Sequence, residues 1–512
     1  MRSKMSDVRC RISLFLLLLM LAVTTVSAQQ RLPCVRSLPS QVAKTRGTLG
    51  YPYQDWDPDR VYRLPVVLIS FSDCDFSVED ASAFYNRMLN EPGFNEGAGK
   101  GSMADYFREQ SGGLFNLQFD VYGPIKVSST AKSSSKYNYG DHAMREAMNQ
   151  LAGMTDEDFY VYDWNGDGEV DQVLFIAASF TGNSKLESGY IWPNTGPAIF
   201  NAPGNVPVNT ASISCELWRD STSCGIGTII HEFAHCLGLP DIYPTGCNVF
   251  SVVDEWDLMD GGNYTNKGWC PPNFSATEKM LMGWLTPTEL TEATTVTGMK
   301  PVSEGGEVFI IRSSGNDSEF YMLENRQRTG WDYGIPGQGL VIFHVDYDRE
   351  MWSNNYVNSY PGRFRYDMFH ADGRDYLSWD PSNSGRDYSK YTSENWLHNR
   401  YLSTSVYPYV DELVENRSLT DDTNPAASLF SPNSDGVNLM SKPITNIRMA
   451  EDGTISFDFL GGTTAVEGIS TVKAATETIW YDLNGRRLSS PPVNPGIYIV
   501  RYTDGTTRKI KI

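Results

Sequence analysis

Basic residues are the first thing this sequence is short of. Across 512 residues, 42 Lys and Arg stand against 62 Asp and Glu, a formal charge of −20. A surplus of that size repels phosphate backbones and anionic membrane surfaces, which excludes nucleic acid as a partner. Long apolar runs are scarce as well. The one candidate, Ile12 to Val23, follows Arg2, Lys4, Arg9 and Arg11 and precedes the small-x-small string Val26-Ser27-Ala28. It is shorter than the roughly 20 residues that span a bilayer, so residues 1–28 are expected to be a secretory signal peptide and the mature chain to hold no transmembrane helix. Tandem repeats and low-complexity tracts are missing. With 40% hydrophobic against 20% charged residues, the composition is that of a folding chain and not of a disordered one. The length exceeds a single core, so roughly two to four domains are expected.

Cysteine is sparse too. Cys10 falls in the signal segment, and Cys34, Cys74, Cys215, Cys224, Cys236, Cys247 and Cys270 remain, an odd set that cannot all pair. An oxidising destination permits disulfides, and the run from Cys215 to Cys270 is placed to staple long loops.

What is present is patterned in blocks. Residues 29–60, polar and rich in Pro, Gly and Arg, suit a lead-in or short pro-segment. Leu64 to Phe71 and Val173 to Ala178 are apolar and β-branched, as buried strands are. Helices are expected near Val78 to Asn90, from Met103 to a stop at Gly112-Gly113, and over His142 to Leu151, with an alternating strand after Gly113. Residues 181–215 read as long Asn/Pro/Gly-rich connections near the surface. Residues 61–290 are thus expected to form an α+β domain. From 291 to 460 short alternating runs such as Glu307 to Arg312, Phe320 to Glu324 and Gly339 to Val345 predict a β-rich, sandwich-like region, with long ordered loops between 350 and 435. Gly461-Gly462 introduces a separate small β domain, residues 465–512.

Histidine is the scarcest reactive residue, with six in all, yet two fall in His231-Glu232-x-x-His235. Residues four apart share one helix face, so both imidazoles reach a single Zn²⁺. Glu232, beside the first ligand, is placed to act on water there. Gly238 is a left-handed helix terminator and Pro240 prevents resumption, so the turn brings Asp241 back as a third, oxygen ligand and leaves a fourth position open. Met259, followed by Gly261-Gly262, has the pattern of a Met-turn, a thioether floor under the ligands. Tyr264 is a candidate donor to a developing oxyanion, against an ordinary packing tyrosine. Asp163, Asn165, Asp167, the Glu169 carbonyl and Asp171 alternate oxygen donors around Gly168, the beginning of a calcium loop. Its twelfth position is Leu174, so two readings stay open: a structural Ca²⁺ completed from elsewhere, or a plain Asx-rich turn.

On these residues the sequence resembles the secreted immune-inhibitor-A-like metallopeptidases, zincins with an acid as the last signature residue. Leu64 to Asp73, Ser102 to Gly113, Asp163 to Asp171, Trp192, Lys279 to Trp284, Glu324 to Asp332 and His344 to Asp346 share the resemblance in the same order. It implies a zincin or metzincin-like fold, Zn²⁺ held by His231, His235 and Asp241, Glu232 as base, and endopeptidase activity on proteins. Ala234 stands where such sequences often carry Gly, a small-for-small change. The tail, with Ile479 to Leu488, Pro495 to Val500 and the basic end Arg508 to Ile512, is similar to the C-terminal sorting domains of type IX secretion in Bacteroidota. The chain is therefore expected to be a secreted or cell-surface zinc endopeptidase acting on protein or peptide substrates, with its tail addressing the secretion machinery. The rivals are a zincin-fold binding or adhesive protein without turnover, and a zinc hydrolase of a non-peptide bond. Retention of Glu232, which a binding module does not need, weighs against the first.

Overall fold

A near-continuous apolar run is what a parallel strand covered on both faces requires, and the first such run becomes β1 (Val61–Ser70) of the computed structural model. The structure describes residues 56–511, apart from 136–137, 186–188, 247–250, 374–401, 412–414 and 464–478 and, in the tail, 483–485, 489, 491, 493–495 and 502–506. The signal segment, most of the lead-in, Cys34 and Cys247 lie outside the described residues.

After β1 come α1 (Ala81–Asn90), α2 (Met103–Gln110), β2 (Asn116–Lys126), α3 (Asp141–Leu151), β3 (Val170–Phe180), the short α4 (Gly182–Lys185), β4 (Asn194–Pro197), β5 (Asn201–Ala202), β6 (Val206–Leu217) and α5 (Gly227–Cys236). The strands form one sheet in the order β2-β1-β3-β6-β4. The first four are parallel, while β4 and β5 run antiparallel to β6. Alternate residues of β1 enter opposite cores. Leu64, Val66 and Leu68 pack with Tyr85, Phe107, Ile230 and Phe233 of α1, α2 and α5, whereas Val67 and Ile69 pack with Met144, Ala147 and Met148 of α3.

Two expectations need correction here. Within residues 181–215, read as surface connections, β6 is an interior strand, and β4 borders it. Its alternation is concealed because the apolar side chains switch from even positions (Val206, Val208) to odd ones (Ala211, Ile213, Cys215), and because Thr210, Ser212 and Ser214 are small polar residues that are nevertheless buried. Disulfides were the second. Among the described residues Cys74, Cys215, Cys224, Cys236 and Cys270 are free thiols; all but Cys74 are buried, and Cys215, Cys236 and Cys270 pack in the cores as small apolar groups.

Next are α6 (Ala276–Leu281), β7 (Thr288–Glu289), β8 (Thr294–Met299), β9 (Phe309–Arg312), β10 (Glu319–Arg326), β11 (Gly339–Asp346), α7 (Arg349–Ser353) and β12 (Tyr366–Met368). A second sheet has the order β12-β11-β10-β9-β7. Beyond it, β13 (Tyr409–Val410) pairs β14 (Glu415–Asn416), and β15 (Ile444–Met449) pairs β16 (Ile455–Phe459), which pairs β8. The core holding α5 draws residues from both sides of position 290, among them Ile310, Met322, Val341, Phe343 and Trp352. Residues up to Gly462 make one compact unit and those from Thr463 a second. The second contains β17 (Ile479–Tyr481), β18 (Ile497–Arg501) and β19 (Thr507–Lys511), an antiparallel three-stranded sheet. Among the described residues no helix is long and apolar enough to cross a membrane. The chain is of mixed α and β structure, with several sheets and short helices.

Candidate metal centre

Ten residues are too few for a helix to persist alone in water, so α5 depends on packing. Ile229, Ile230, Phe233 and Ala234 lie in the first core, where full burial of each large apolar side chain contributes roughly 1.5–3 kcal/mol. His231 and His235 are thereby stacked along the helix with ring centroids 4.7 Å apart. The helix ends in a Schellman motif. Gly238 takes φ +100°, its N–H bonds the His235 carbonyl at 2.9 Å, and the Leu239 N–H bonds the Ala234 carbonyl at 3.1 Å. A side chain at 238 would strain that turn, and the turn is what returns Asp241 to the helix.

Three donor atoms converge. His231 Nε2 and His235 Nε2 are 3.2 Å apart, and each lies 3.3 Å from Asp241 Oδ1. A tetrahedral ion with bonds of about 2.0–2.1 Å has ligand-to-ligand edges of about 3.3–3.4 Å, the size of this triangle. The tautomers agree. His231 Nδ1 is 3.0 Å from the Leu258 carbonyl and His235 Nδ1 is 2.7 Å from the Leu239 carbonyl. A carbonyl only accepts, so each Nδ1 donates and both Nε2 lone pairs point at a carboxylate oxygen, an arrangement that calls for a cation between them. The donor set and its spacing fit Zn²⁺. Among the described residues this is the one group of three or more His, Cys, Asp or Glu drawn close enough to hold an ion.

All three side chains are buried, as is Glu232. Burial raises a carboxyl pKa, but the two imidazoles outweigh it and hold Asp241 well below the usual carboxylate range. Burial lowers both imidazoles. At His231 the Asp241 and Glu232 carboxylates prevail and raise the pKa, whereas at His235 burial prevails and lowers it.

The Met259 segment is tied to His231 and to the Asp241 turn. Leu258 accepts from His231, the Met259 carbonyl accepts from Ile242 N–H at 2.8 Å, and the Met259 N–H bonds Asp257 Oδ1 at 2.8 Å. Met259 itself is fully buried in the core that holds α5. Behind it lie the buried carboxyls of Asp257 and Glu278, and burial pushes both pKa values up, Glu278 the further. Glu278 also closes a capping box with Ser275 at the start of α6. Arg326, equally buried, grips Asp332 at 2.7 and 2.8 Å and Glu324 at 3.3 Å.

Sequence reasoning missed three neighbours. The Thr195 hydroxyl, on β4, lies 2.7 Å from the Glu232 carbonyl and 3.0 Å from Glu232 Oε2. The Asn355 side chain bonds Asp241 twice, accepting from its N–H at 2.6 Å and donating to its Oδ2 at 2.7 Å. Tyr243 lays its ring over His231, 6.5 Å away and 15° from parallel. Tyr264 engages elsewhere: its hydroxyl accepts from Asn183 Nδ2 at 3.1 Å and its ring packs edge-on to Trp218. In the loop from Asp163 several side-chain oxygens accept from the loop's own amides. Asp163 accepts from Gly166, Asp167 and Gly168, Asn165 from Asp167, Asp167 from Glu169, and Asp171 from Trp164.

Residues 206–284 match the immune inhibitor A peptidase M6 catalytic domain. That stretch holds β6, α5, the Asp241 turn and the Met259 segment, and leaves out Thr195 and Asn355. The chain is also similar to the pre-pro-metalloprotease PrtV of Vibrio cholerae serotype O1, at 24% identity over 269 residues, 46% of this chain and 29% of that protein. Similarity to immune inhibitor A of Bacillus thuringiensis subsp. alesti is 26% over 265 residues, 44% of this chain and 38% of that one. The chain thus spans well under half the length of the curated relatives it matches.

Proposed function

We propose that this protein is an exported zinc endopeptidase whose metal is held by His231, His235 and Asp241 and whose general base is Glu232. The observation that carries the reading is the donor triangle of tetrahedral size beside a buried carboxylate, within a stretch similar to a peptidase catalytic domain. The ion would supply Lewis acidity, polarising the scissile carbonyl and acidifying water. The remaining steps belong to the chain. Glu232 takes a proton from the attacking water as its oxygen bonds the carbonyl carbon, then passes that proton to the amine nitrogen as the C–N bond breaks. The parallel sheet with an antiparallel edge strand, the α5 helix and the Met259 segment support a metzincin-like arrangement. For the loop from Asp163 to Asp171 both readings stay open, a structural Ca²⁺ or a plain turn, because an oxygen that accepts one amide keeps a second lone pair for an ion. Residues 1–28 and 465–512 are taken, on their sequence, as the export signal and a type IX sorting domain.

Two variants test the centre by zinc stoichiometry beside hydrolysis of a peptide library. Glu232→Ala should keep close to one zinc per chain and lose roughly 10²- to 10⁴-fold in turnover. Asp241→Ala should lose zinc and activity together, with partial recovery in excess Zn²⁺. Full zinc and near-normal turnover in Asp241→Ala would remove it from the ligand set.

A further inference from the structure

The carboxylate of Asp241 has two oxygens, and only one faces the imidazoles. The other, Oδ2, receives the Asn355 side-chain amide at 2.7 Å, while Asn355 Oδ1 accepts the Asp241 backbone N–H at 2.6 Å. A carboxamide offers a donor and an acceptor on one short planar head, which is the complement of a carboxylate oxygen beside its own N–H. The backbone at 355 is selected along with the side chain. Its φ is +61°, a region that non-glycine residues seldom enter and in which Asn is several-fold enriched. The residue is anchored from behind. Its carbonyl accepts from Thr245 Oγ1 at 2.6 Å, and that hydroxyl also meets Ser359 Oγ at 2.8 Å. Its N–H bonds the Trp352 carbonyl, and the Trp352 ring is buried in the core that holds α5. Asn358 donates to the Ile242 carbonyl at 2.8 Å and so fixes the residue next to the ligand.

We propose that Asn355 is a positioning residue of the metal centre, holding Asp241 so that Oδ1 alone is presented to the ion. The role rests on reading His231, His235 and Asp241 as a zinc site, and it makes the chain beyond residue 339 part of that site. Without the clamp the carboxylate rotates about its side-chain torsions, and an ordering cost that the folded chain has already met returns to each binding event. Outer partners of metal ligands are worth about 10- to 100-fold in affinity.

The test uses the full chain and competition for Zn²⁺ with a chromophoric chelator. Asn355→Gly removes the amide while tolerating the positive φ, and should weaken zinc binding about 10- to 100-fold. Asn355→Ser, too short to reach both atoms, is the second variant and should lose a similar amount. The deciding readout is a double-mutant cycle. In an Asp241→Ala background, adding Asn355→Gly should leave the already weakened affinity unchanged, because the amide then has no carboxylate to hold. The same fold-loss in both backgrounds, or wild-type affinity in Asn355→Gly and Asn355→Ser, would overturn the proposal and leave 355 as loop structure. Failure of the unaltered protein to take up zinc is a different result, and would sink the metal centre itself.

Discussion

A general base helps only while its carboxylate faces the water it must deprotonate, and for Glu232, the proposed base, that orientation would be supported from the sheet edge. The Thr195 hydroxyl stands between the backbone carbonyl and the Oε2 of Glu232, so β4 touches that side chain directly. Thr195→Val keeps the shape and deletes the hydroxyl. We expect kcat to fall on the order of tenfold, the kinetic equivalent of one hydrogen bond to a charged group, with zinc content unchanged and with a shifted acid limb in the pH profile. A fall in zinc content instead would mean that Thr195 supports the helix and not the base. The comparison with Glu232 itself also shows why such residues escape a reading of the sequence. The spacing of His231, Glu232 and His235 is local, set by one helical turn, and therefore visible in a single line of text. Thr195 and Asn355 act across 37 and 114 residues and sit in stretches with no periodicity, where any hydroxyl or amide looks like any other.

At the scale of elements, strands whose apolar residues run uninterrupted, such as β1 and β3, were readable, and so were helices with a cap or a glycine stop. β6 was not, since its inward face changes parity part-way and is partly lined with hydroxyls. The contact between α6 and the Met259 segment was equally hidden, because nothing in the chain announces that Asp257 and Glu278 meet. Asp257 and Glu278 are buried together near Tyr366, Arg326 acts on Asp257, and Glu324, Asp332 and Lys279 gather around the same Arg326. Four acids therefore face two cations, and burial further pushes Lys279 down to about 8. We expect the pair to keep a proton, which relieves the surplus. Because the folded pKa values lie above the unfolded ones, this contribution to stability is complete below the ordinary carboxylate range and is lost as pH rises through the elevated values. Glu278→Gln carries a permanent donor in place of the acid. Its melting temperature should fall less than that of the parent as pH rises above the ordinary carboxylate range, with the Lys279 titration common to both. Parallel slopes would show that the pair does not hold the proton.

For the whole molecule, the division after Gly462 separates a three-stranded sheet from everything that builds the centre. Deleting residues 463–512 should leave zinc content, melting temperature and peptide hydrolysis of the remainder at parental values while abolishing delivery to the cell surface. Lost hydrolysis in the purified truncated chain would make the tail a working part of the enzyme. The reach from Asp241 to Asn355 within the larger unit has a consequence in time. His231, His235 and Asp241 leave the ribosome together, whereas the amide that grips Asp241 follows 114 residues later. At roughly 5 to 20 residues per second that interval is on the order of ten seconds. Throughout it, the nascent chain carries its ligands without the group that aims the third, so tight capture of metal waits until synthesis has passed position 355.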